Sequence, residues 1–588
     1  MVKLNYSVKK YGESYMKTVL KYLNGFYMRM VMGFVIKTLG TLSELMLPLI
    51  LSHILKNVIG ESISNIVLWG SAMIGFSLLA CILNIIANRM AANVSRQFAR
   101  NLRRDLFYKT LTLSAKKTDE FTIPSLESRI TTDTYHVHGF IGMVQRMGVR
   151  SPILLVGGVC ITLMMDATLS LVMICMLPLI FLTILFISKK GVPLYTKVQK
   201  SVDDMVRVVR EDVQGIRVIK ALSKSDYEHR RYDKVNKKLV TDEKSAGITM
   251  GLVNPVMTLF MNIGTVFVVA IGANRVFNHS SDPETLIAFM QYFTQISMAM
   301  VFVTRMFMMY TKAAASAKRI EEVLLCEDDI KVMSKADYPD ITTDAFVKFQ
   351  DVSFSYLGKR SDLANINFEL KKGESLGIIG ATGAGKSTLI YLLMRFYDVD
   401  KGSIYINGED VRTIEKERLC QMFGVSMQYD FLYGDTIEEN IKFGREASIE
   451  EIKKAAVIAQ ADDFICDFPE GYERVLSQQG TNISGGQKQR ILITRAILKN
   501  PSILVLDDSS SALDYKTDAA LRKALRDNLG DTTVITVAQR VSSVKESDLI
   551  IVIDEGKIIG MGDHNHLMDN CTEYKEISDS QMGGAFVE

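Results

Sequence analysis

The sequence predicts two unlike parts on one chain, an α-helical membrane region followed by an α/β domain, and three observations carry that prediction. Apolar stretches long enough to cross a bilayer fall at 27–55, 65–88, 140–165, 167–188, 248–275 and 285–310, where a helical crossing needs about 20 residues. Beyond residue 346 the apolar runs shorten and are bounded by turn residues, the pattern of buried strands alternating with helices. One such run, Ser375–Ile379, leads directly into the glycine-rich segment Gly380–Thr388 and then a helical stretch to Arg395. At 588 residues with 48% apolar content and a mean hydropathy of +0.14, the chain is too long for one domain and lies between soluble and wholly embedded proteins. The divisions expected are a transmembrane domain over 1–325, a linker over 326–345 that is acidic and contains Pro339, and an α/β domain over 346–588.

Charge placement orients the first part. The segments near 58–64, 166 and 277–285 contain no Lys or Arg, whereas 89–118 and 189–245 are dense in both and the N-terminus carries Lys3, Lys9, Lys10, Lys17 and Lys21. Basic loops stay on the cytoplasmic side, so both termini and the α/β domain are expected there, in a multi-pass protein of the cell membrane. Each basic segment runs for about fifty residues with helical periodicity, too long for a bare loop, and reads as a cytoplasmic extension of the spanning helices. No cleavable signal sequence is visible, so the first span is expected to direct insertion.

In Gly380, Ala381, Thr382, Gly383, Ala384, Gly385, Lys386, Ser387 and Thr388 the glycines let backbone N–H groups approach phosphate oxygens that a Cβ would hold off. A lysine at the end of such a loop reaches the β- and γ-phosphates, and the next hydroxyl ligates Mg²⁺. Strand, loop and helix come in the order that the phosphate site requires. Downstream, in order, lie Gln428; Asn482-Ile483-Ser484-Gly485-Gly486-Gln487; Ile503-Leu504-Val505-Leu506-Asp507-Asp508; and Ser511-Ala512-Leu513-Asp514.

This ordered series resembles the nucleotide-binding domain of ABC transporters, and the resemblance extends over nearly the whole chain. It implies six transmembrane helices with long cytoplasmic extensions, then an α/β P-loop ABC nucleotide-binding domain. The family's LSGGQ signature matches Ile483 to Gln487 with one conservative change at the first position. In the family the helix N-terminus at Ser484, Gly485, Gly486 and Gln487 faces the γ-phosphate of ATP held by the other subunit, so two domains close as a sandwich. The resemblance further implies ATP and Mg²⁺, with Tyr356 stacked on adenine, Ser387, Gln428 and Asp507 holding the metal, and Asp514 beside the nucleotide. Asp119–Asp133 and Glu211–Lys220 resemble the two coupling-helix regions.

Two positions depart from the family pattern. Asp508 stands where active members carry a glutamate that polarises the attacking water, and it is one methylene shorter; Gln539 stands where they carry a histidine. A displacement near 1 Å costs on the order of a hundredfold in rate, and a glutamine hydrogen-bonds but carries no positive charge. With Gln428, these are the residues that would handle the hydrolytic water. Two defects beside an intact signature resemble the degenerate-site half of a heterodimeric bacterial multidrug exporter, whose non-identical partner supplies the competent residues. Drift in a working ATPase, a nucleotide-gated regulatory or channel-like subunit, and a lipid or peptide flippase are the alternatives.

Ionisable groups at bilayer depth are costly unless they face water or a partner, which makes them pointers to cargo. Lys37 and Glu44 lie seven apart on one helical face; Arg146 and Arg150, and Gln291 and Gln295, are each four apart. Glu44, Gln291 and Gln295 are the candidate substrate contacts, with interhelical pairing or snorkelling as the plainer role. Glu44 alone would favour cationic compounds. Methionines 290, 298, 300, 306, 308 and 309 make the last span adaptable to varied apolar cargo, or simply pack it. Membrane lipids and an amphipathic small molecule are therefore expected partners. The seven cysteines lack paired spacing and the seven histidines form no cluster, so no structural zinc or disulfide framework is expected. A net charge of +3 gives no reason to expect nucleic acid.

Overall fold

The computed structural model describes residues 16–58, 63–279, 282–327, 329–358, 360–428 and 431–583; Lys3, Lys9 and Lys10 fall outside them. The chain divides into two compact units, Met1–Thr112 with Phe121–Cys326, and Leu113–Glu120 with Glu327–Glu588.

The first unit is helical. Among the described residues six helices are long and apolar enough to cross a membrane: Met16–Val58, Ile63–Thr112, Ile123–Met165, Ala167–Gln214, Ser225–Phe277 and Pro283–Val303. Their regular parts are α1 (Tyr27–His53), α2 (Ile63–Thr112), α3 (Thr134–Met165), α4 (Ala167–Gln214), α5 (Ser225–Gly251), α6 (Val253–Phe277) and α7 (Pro283–Leu324). The basic stretches form the helical ends of α2, α4 and α5. The coupling-region segments fold as short helices, Ala115–Phe121 and Ile123–Ser128 in the first and Ile216–Ala221 in the second.

Apolar side chains such as Val67, Leu68 and Ile82 are exposed along α2, which in a bilayer costs nothing because lipid tails are as apolar as leucine. The interior is built from Leu45, Leu154, Leu169, Met173, Phe289, Tyr292, Phe293 and Ile296. Small residues admit the aromatic ones: a Cβ on Gly264 of α6 would stand 2.5 Å from Cζ of Phe293. Two buried carboxylates of this unit are tied down. Asp166 caps α4, accepting from Thr168 N at 2.9 Å and Leu169 N at 3.2 Å, and also accepts from Arg275 Nε at 3.0 Å. Buried Asp133 accepts from Ser316 Oγ at 2.8 Å and Arg319 Nε at 2.8 Å.

The second unit holds two sheets. An antiparallel one has the order β2-β1-β4-β5, with β1 (Val347–Phe354), β2 (Leu363–Leu370), β4 (Lys401–Ile406) and β5 (Glu409–Asp410). The other has the order β10-β9-β3-β8-β7-β6, with β3 (Ser375–Ile379), β6 (Phe423–Ser426), β7 (Ile503–Asp507), β8 (Thr533–Val537), β9 (Leu549–Asp554) and β10 (Lys557–Gly562). Pairings from β9 through β6 are parallel and β10 is antiparallel. All five residues of β7 are buried, the continuous apolar run expected of a parallel strand covered on both faces. One core joins the sheets around Phe349 and Phe368, stacked at 4.5 Å. A second lies among the helices near 432–529.

Two differences from the sequence reading concern boundaries. Residues 113–120, counted with the membrane region by sequence, group with the second unit, where Tyr397 Oη donates to Asp119 Oδ2 at 2.5 Å. The linker 326–345 is stitched to the second unit rather than free: Met333 N donates to Arg412 O at 2.8 Å, Ile341 N to Gly408 O at 2.9 Å, and Arg395 Nη2 to Lys331 O at 2.7 Å.

The Gly264 contact generates a prediction. Gly264→Ala overpacks the interface and should cost about 1–3 kcal/mol, lowering the melting temperature of the purified protein. Gly75→Ala, inside α2 where nothing lies within 4 Å of the added Cβ, should not lower it and gains helix propensity. Equal melting of the two variants would contradict the packing assigned to α6 and α7.

Candidate functional site

Parallel strands deliver the site. β3 ends at Ile379, β7 at Asp507 and β8 at Val537, and the pairing Asp507↔Val537 brings the loops after β7 and β8 to one level. In open α/β sheets ligands bind beyond the carboxyl ends of the strands. A cavity of about 270 Å³ lies there, lined by the loop after β3, by Tyr356 and Asp362, and by Gln428, Asp507, Asp508 and Gln539.

The loop conformation depends on its glycines. Gly385 has φ +102 and caps α8 (Lys386–Leu393); a Cβ there would meet Leu363 Cδ2 at 2.8 Å. A Cβ on Gly380 would stand 2.0 Å from Ile553 O, so no larger residue fits without moving β9. Lys386 Nζ donates to the carbonyls of Gly380 and Ala381, both at 2.9 Å, curling the loop around the ammonium. Burial pulls that ammonium below its ordinary range, opposed by the charges of Asp508 and Asp507. Thr382, Gly383, Ser387 and Thr388 line the cavity. The Ala384 side chain instead belongs to the core, so only its backbone serves the loop.

Asp507 is 1% exposed, and among the described residues neither carboxylate oxygen has a hydrogen-bond partner of normal geometry. Burial pushes its carboxyl up, an effect the nearby Ser387 hydroxyl partly offsets. An orphaned buried carboxylate is expensive unless a cation satisfies it. Asp507 and Ser387, both oxygen donors, suit a hard divalent ion such as Mg²⁺. The glycine cradle, Lys386 and this pair of oxygen ligands together fit a magnesium nucleotide.

Asp508 sits in left-handed backbone at φ +52, its N–H bonded to Val537 O at 2.9 Å. Its Oδ2 accepts from two amides, Gln539 Nε2 at 3.0 Å and Gln428 Nε2 at 3.2 Å. The three residues read from sequence as handling the water therefore close on one carboxylate oxygen. Tyr356 is 41% exposed, edge-on to Phe354 at 4.9 Å and Tyr397 at 5.1 Å, and its hydroxyl donates to Thr388 Oγ1 at 3.3 Å.

The signature segment and Asp514 lie outside this cavity. Ser484 caps α9 (Gly485–Ile497): its Oγ accepts from Gln487 N at 3.2 Å while Gln487 Oε1 accepts from Ser484 N at 3.0 Å. Both side chains are thus used in a capping box, leaving the first N–H groups of a 13-residue helix to face outward. Asp514 caps α10 (Tyr515–Asn528), accepting from Thr517 N at 2.9 Å and Thr517 Oγ1 at 2.8 Å. Asp362 was missed: it accepts from Tyr356 N at 2.9 Å and forms part of the cavity wall, and no local pattern in the sequence marks it.

The candidate cargo residues are dispersed. Glu44 is half-buried, its Oε2 paired with Arg150 Nε at 3.0 Å and its Oε1 accepting from Asn84 Nδ2 at 3.2 Å. Gln291 is exposed on α7, whereas Gln295 is half-buried with Oε1 unpartnered among the described residues. Met300, Met306 and Met309 pack inward, against the α7 core, Gly148 and Gly139 respectively; Met290 and Met298 are exposed. The Met308 side chain lies outside the described set.

Residues 30–300 match the ABC transporter transmembrane region family and residues 363–511 the ABC transporter family. The chain is 35% identical to the uncharacterized ABC transporter ATP-binding protein YfiB of Bacillus subtilis, over 92% of this chain and 94% of that protein. It is 28% identical to the putative ABC transporter ATP-binding protein exp8 of Streptococcus pneumoniae, over 97% of each. A solved bacterial Atm1-family ABC exporter with ATP bound superposes with a TM-score of 0.80 over 96% of this chain and 99% of that one, at 23% identity, a likeness of fold. With a transmembrane region and an ATP-binding domain on one polypeptide, the chain belongs to the ABC transporter family as a half-transporter built on the exporter fold.

Proposed function

We propose that this chain is one half of a heterodimeric exporter of amphipathic compounds, that its own site binds Mg-ATP with little hydrolysis, and that its signature helix completes the hydrolytic site of a non-identical partner. The observation that carries this reading is Asp508 Oδ2, held by both Gln428 and Gln539. An oxygen accepting two N–H donors has both lone pairs engaged, and the short side chain moves the remaining oxygen back from where a glutamate would present it. Gln539 adds a donor but no charge beside a γ-phosphate.

In this reading Lys386, the glycine N–H groups and Ser387 bind the phosphates, Asp507 and Ser387 with Gln428 hold Mg²⁺, and Tyr356 covers the base. When bound, the metal supplies positive charge to the phosphate oxygens. The protein's remaining contribution is made in trans. The N-terminus of α9, pre-set by the Ser484–Gln487 box, presents aligned N–H groups to an anion. Closure of two such domains would link ATP binding to the membrane helices, with both termini and the ATP-binding domain on the cytoplasmic side, as the basic extensions favour.

Purified alone, the chain should bind Mg-ATP yet turn over very slowly, and Lys386→Ala should remove the binding. Robust ATPase activity in the single chain, lost in Lys386→Ala, would contradict the heterodimer reading.

Two variants of this chain should also separate. Asp508→Asn alters a carboxylate placed in the slow site, which in this reading contributes little turnover, so ATPase activity of the assembled transporter should fall only modestly. Gly486→Asp puts a negative charge at the N-terminus of α9 and should reduce turnover on the order of a hundredfold or more. A Cβ at Gly486 would approach Ala512 O at 3.1 Å, a contact that small shifts relieve, so the loss should come without unfolding. Steady-state ATPase assays of both variants decide the matter; equal losses would show that this chain's own site hydrolyses.

A further inference from the structure

We infer that the cargo of this transporter carries its charge as an anion, bound by Arg146 and Arg150 of α3 beside Lys37 of α1; this rests on the export reading above and names its substrate class. Four ionisable groups of the membrane helices form one cluster. Lys37 Nζ donates to Asn84 Oδ1 at 2.6 Å and to Asn88 Oδ1 at 3.2 Å. Asn84 Nδ2 donates to Glu44 Oε1 at 3.2 Å, and Arg150 Nε to Glu44 Oε2 at 3.0 Å. Arg146 stands four residues before Arg150 on the same helix, and so on the same face. Three cations thus stand against one carboxylate. No neighbouring helix balances them: α2 has no acid before Asp105, α3 has none, and α7 has none between Glu284 and Glu321.

Depth makes this imbalance costly. Arg150 lies fifteen residues inside the end of α3 at Met165, about 22 Å at 1.5 Å per residue, within a hydrocarbon layer of about 30 Å. Arg150 shares Glu44, whereas Arg146, nineteen residues from Met165 or about 28 Å, stands near the far edge of that layer with no carboxylate partner among the described residues; such a guanidinium faces water, a partner surface or an anion rather than lipid. Lys37 is 3% exposed and spends two of its three N–H donors on asparagines. The Arg150 side chain is 32% exposed, and among the described residues its only hydrogen bond runs through Nε. Arg146 is exposed and uses Nε on Gly142 O at 3.0 Å. Four residues apart, they present their terminal N–H groups on the same helical face, the fork that suits carboxylate, sulfonate or phosphate oxygens.

An apolar groove of about 310 Å³ adjoins the cluster, lined by Tyr27, Met30 and Phe34 of α1, Ala87 and Ala91 of α2, and Val149 of α3. Phe34, Ala87 and Val149 are each within three residues of Lys37, Asn88 and Arg150, so the groove and the cluster lie at one level of the helices, and an amphiphile with its apolar body in the groove has its anion within a short reach of the arginines. A cation, which Glu44 considered alone would favour, meets a carboxylate already shared by Arg150 and Asn84.

The test uses the transporter purified through a tag on this full chain from its native host, so that any partner half is retained, in nanodiscs of zwitterionic lipid without ATP. Fluorescence anisotropy follows two pyrene probes with the same apolar body, one ending in a sulfonate and one in a trimethylammonium. The sulfonate should bind about tenfold more tightly or better, the scale of a charged hydrogen bond. Arg146→Gln and Arg150→Gln should each remove most of that preference, and Glu44→Gln should strengthen sulfonate binding. Arg146→Gln, whose exposed side chain bonds only a backbone carbonyl among the described residues, guards against loss of folding at Arg150. Competition by short-chain phosphatidylglycerol but not phosphatidylcholine would identify a lipid as the source of the anion; competition only by soluble alkyl sulfonates would identify a free amphiphile. Equal binding of the two probes, tighter binding of the cation, or indifference to both arginine variants, as expected if a partner carboxylate neutralises them, overturns the assignment. ATP-driven export of the cationic probe alone would overturn the anion and leave the export reading standing, whereas charge-selective binding without export of either probe would do the reverse.

Discussion

The register of three parallel strands governs the ATP site. Because β7 pairs with β8 so that Asp507 stands opposite Val537, and β3 pairs with β8 so that Ile378 does too, the loops that follow all three leave the sheet at one height. The phosphate loop, the acidic pair and Gln539 are therefore neighbours although they span more than 150 residues of sequence. β7 is wholly buried and β3 nearly so, while β8 alternates buried and half-buried residues, so a slip of one residue would turn polar loop residues into the core. The chemistry of the site is held in place by packing far more than by contacts among the site residues, most of which bond to backbone or to a single partner.

The membrane unit obeys the opposite economy. Its outer surfaces are apolar and indifferent to neighbours, and specificity comes from a few polar side chains whose alternatives in lipid are poor. Asp166 shows the pattern: one carboxylate satisfies two orphan N–H groups at the start of α4 and an arginine of α6. Asp133, with Ser316 and Arg319, does the same at the other end of the spans. The cluster at Lys37, Glu44 and Arg150 uses the same means but leaves hydrogen-bond donors over.

What could be read in the sequence was whatever the chain writes locally. Six long apolar helices, the buried strand before Gly380, and the Ser484 box that opens α9 all depend on residues within a few positions of one another. Pairings across the chain were not legible. Glu44 and Arg150 are both conspicuous at bilayer depth, yet nothing in a single sequence says that they meet. Asp362 and Tyr356 face each other across a turn whose residues have no special pattern. The reading of Asp514 as a nucleotide neighbour gave no weight to Thr517, three residues on, which occupies both of its oxygens. The reading of the linker rests on its acidic residues and Pro339 alone, which say nothing of where its backbone bonds; that backbone is bonded to the β5 region and to Arg395.

The backbone at Asp508 has an evolutionary corollary. At φ +52 the residue occupies a region that aspartate, asparagine and glycine enter readily, and that a longer side chain enters at a cost of roughly 1–2 kcal/mol. The glutamate that hydrolysis asks for at this position is therefore the residue its backbone tolerates less well, and an enzyme that keeps it holds strain at its reaction centre. A lineage released from turnover at one of two paired sites would drift toward aspartate for conformational relief alone. Going back would need selection strong enough to restore both the strain and the function, so asymmetry between paired ATP sites would behave as a ratchet.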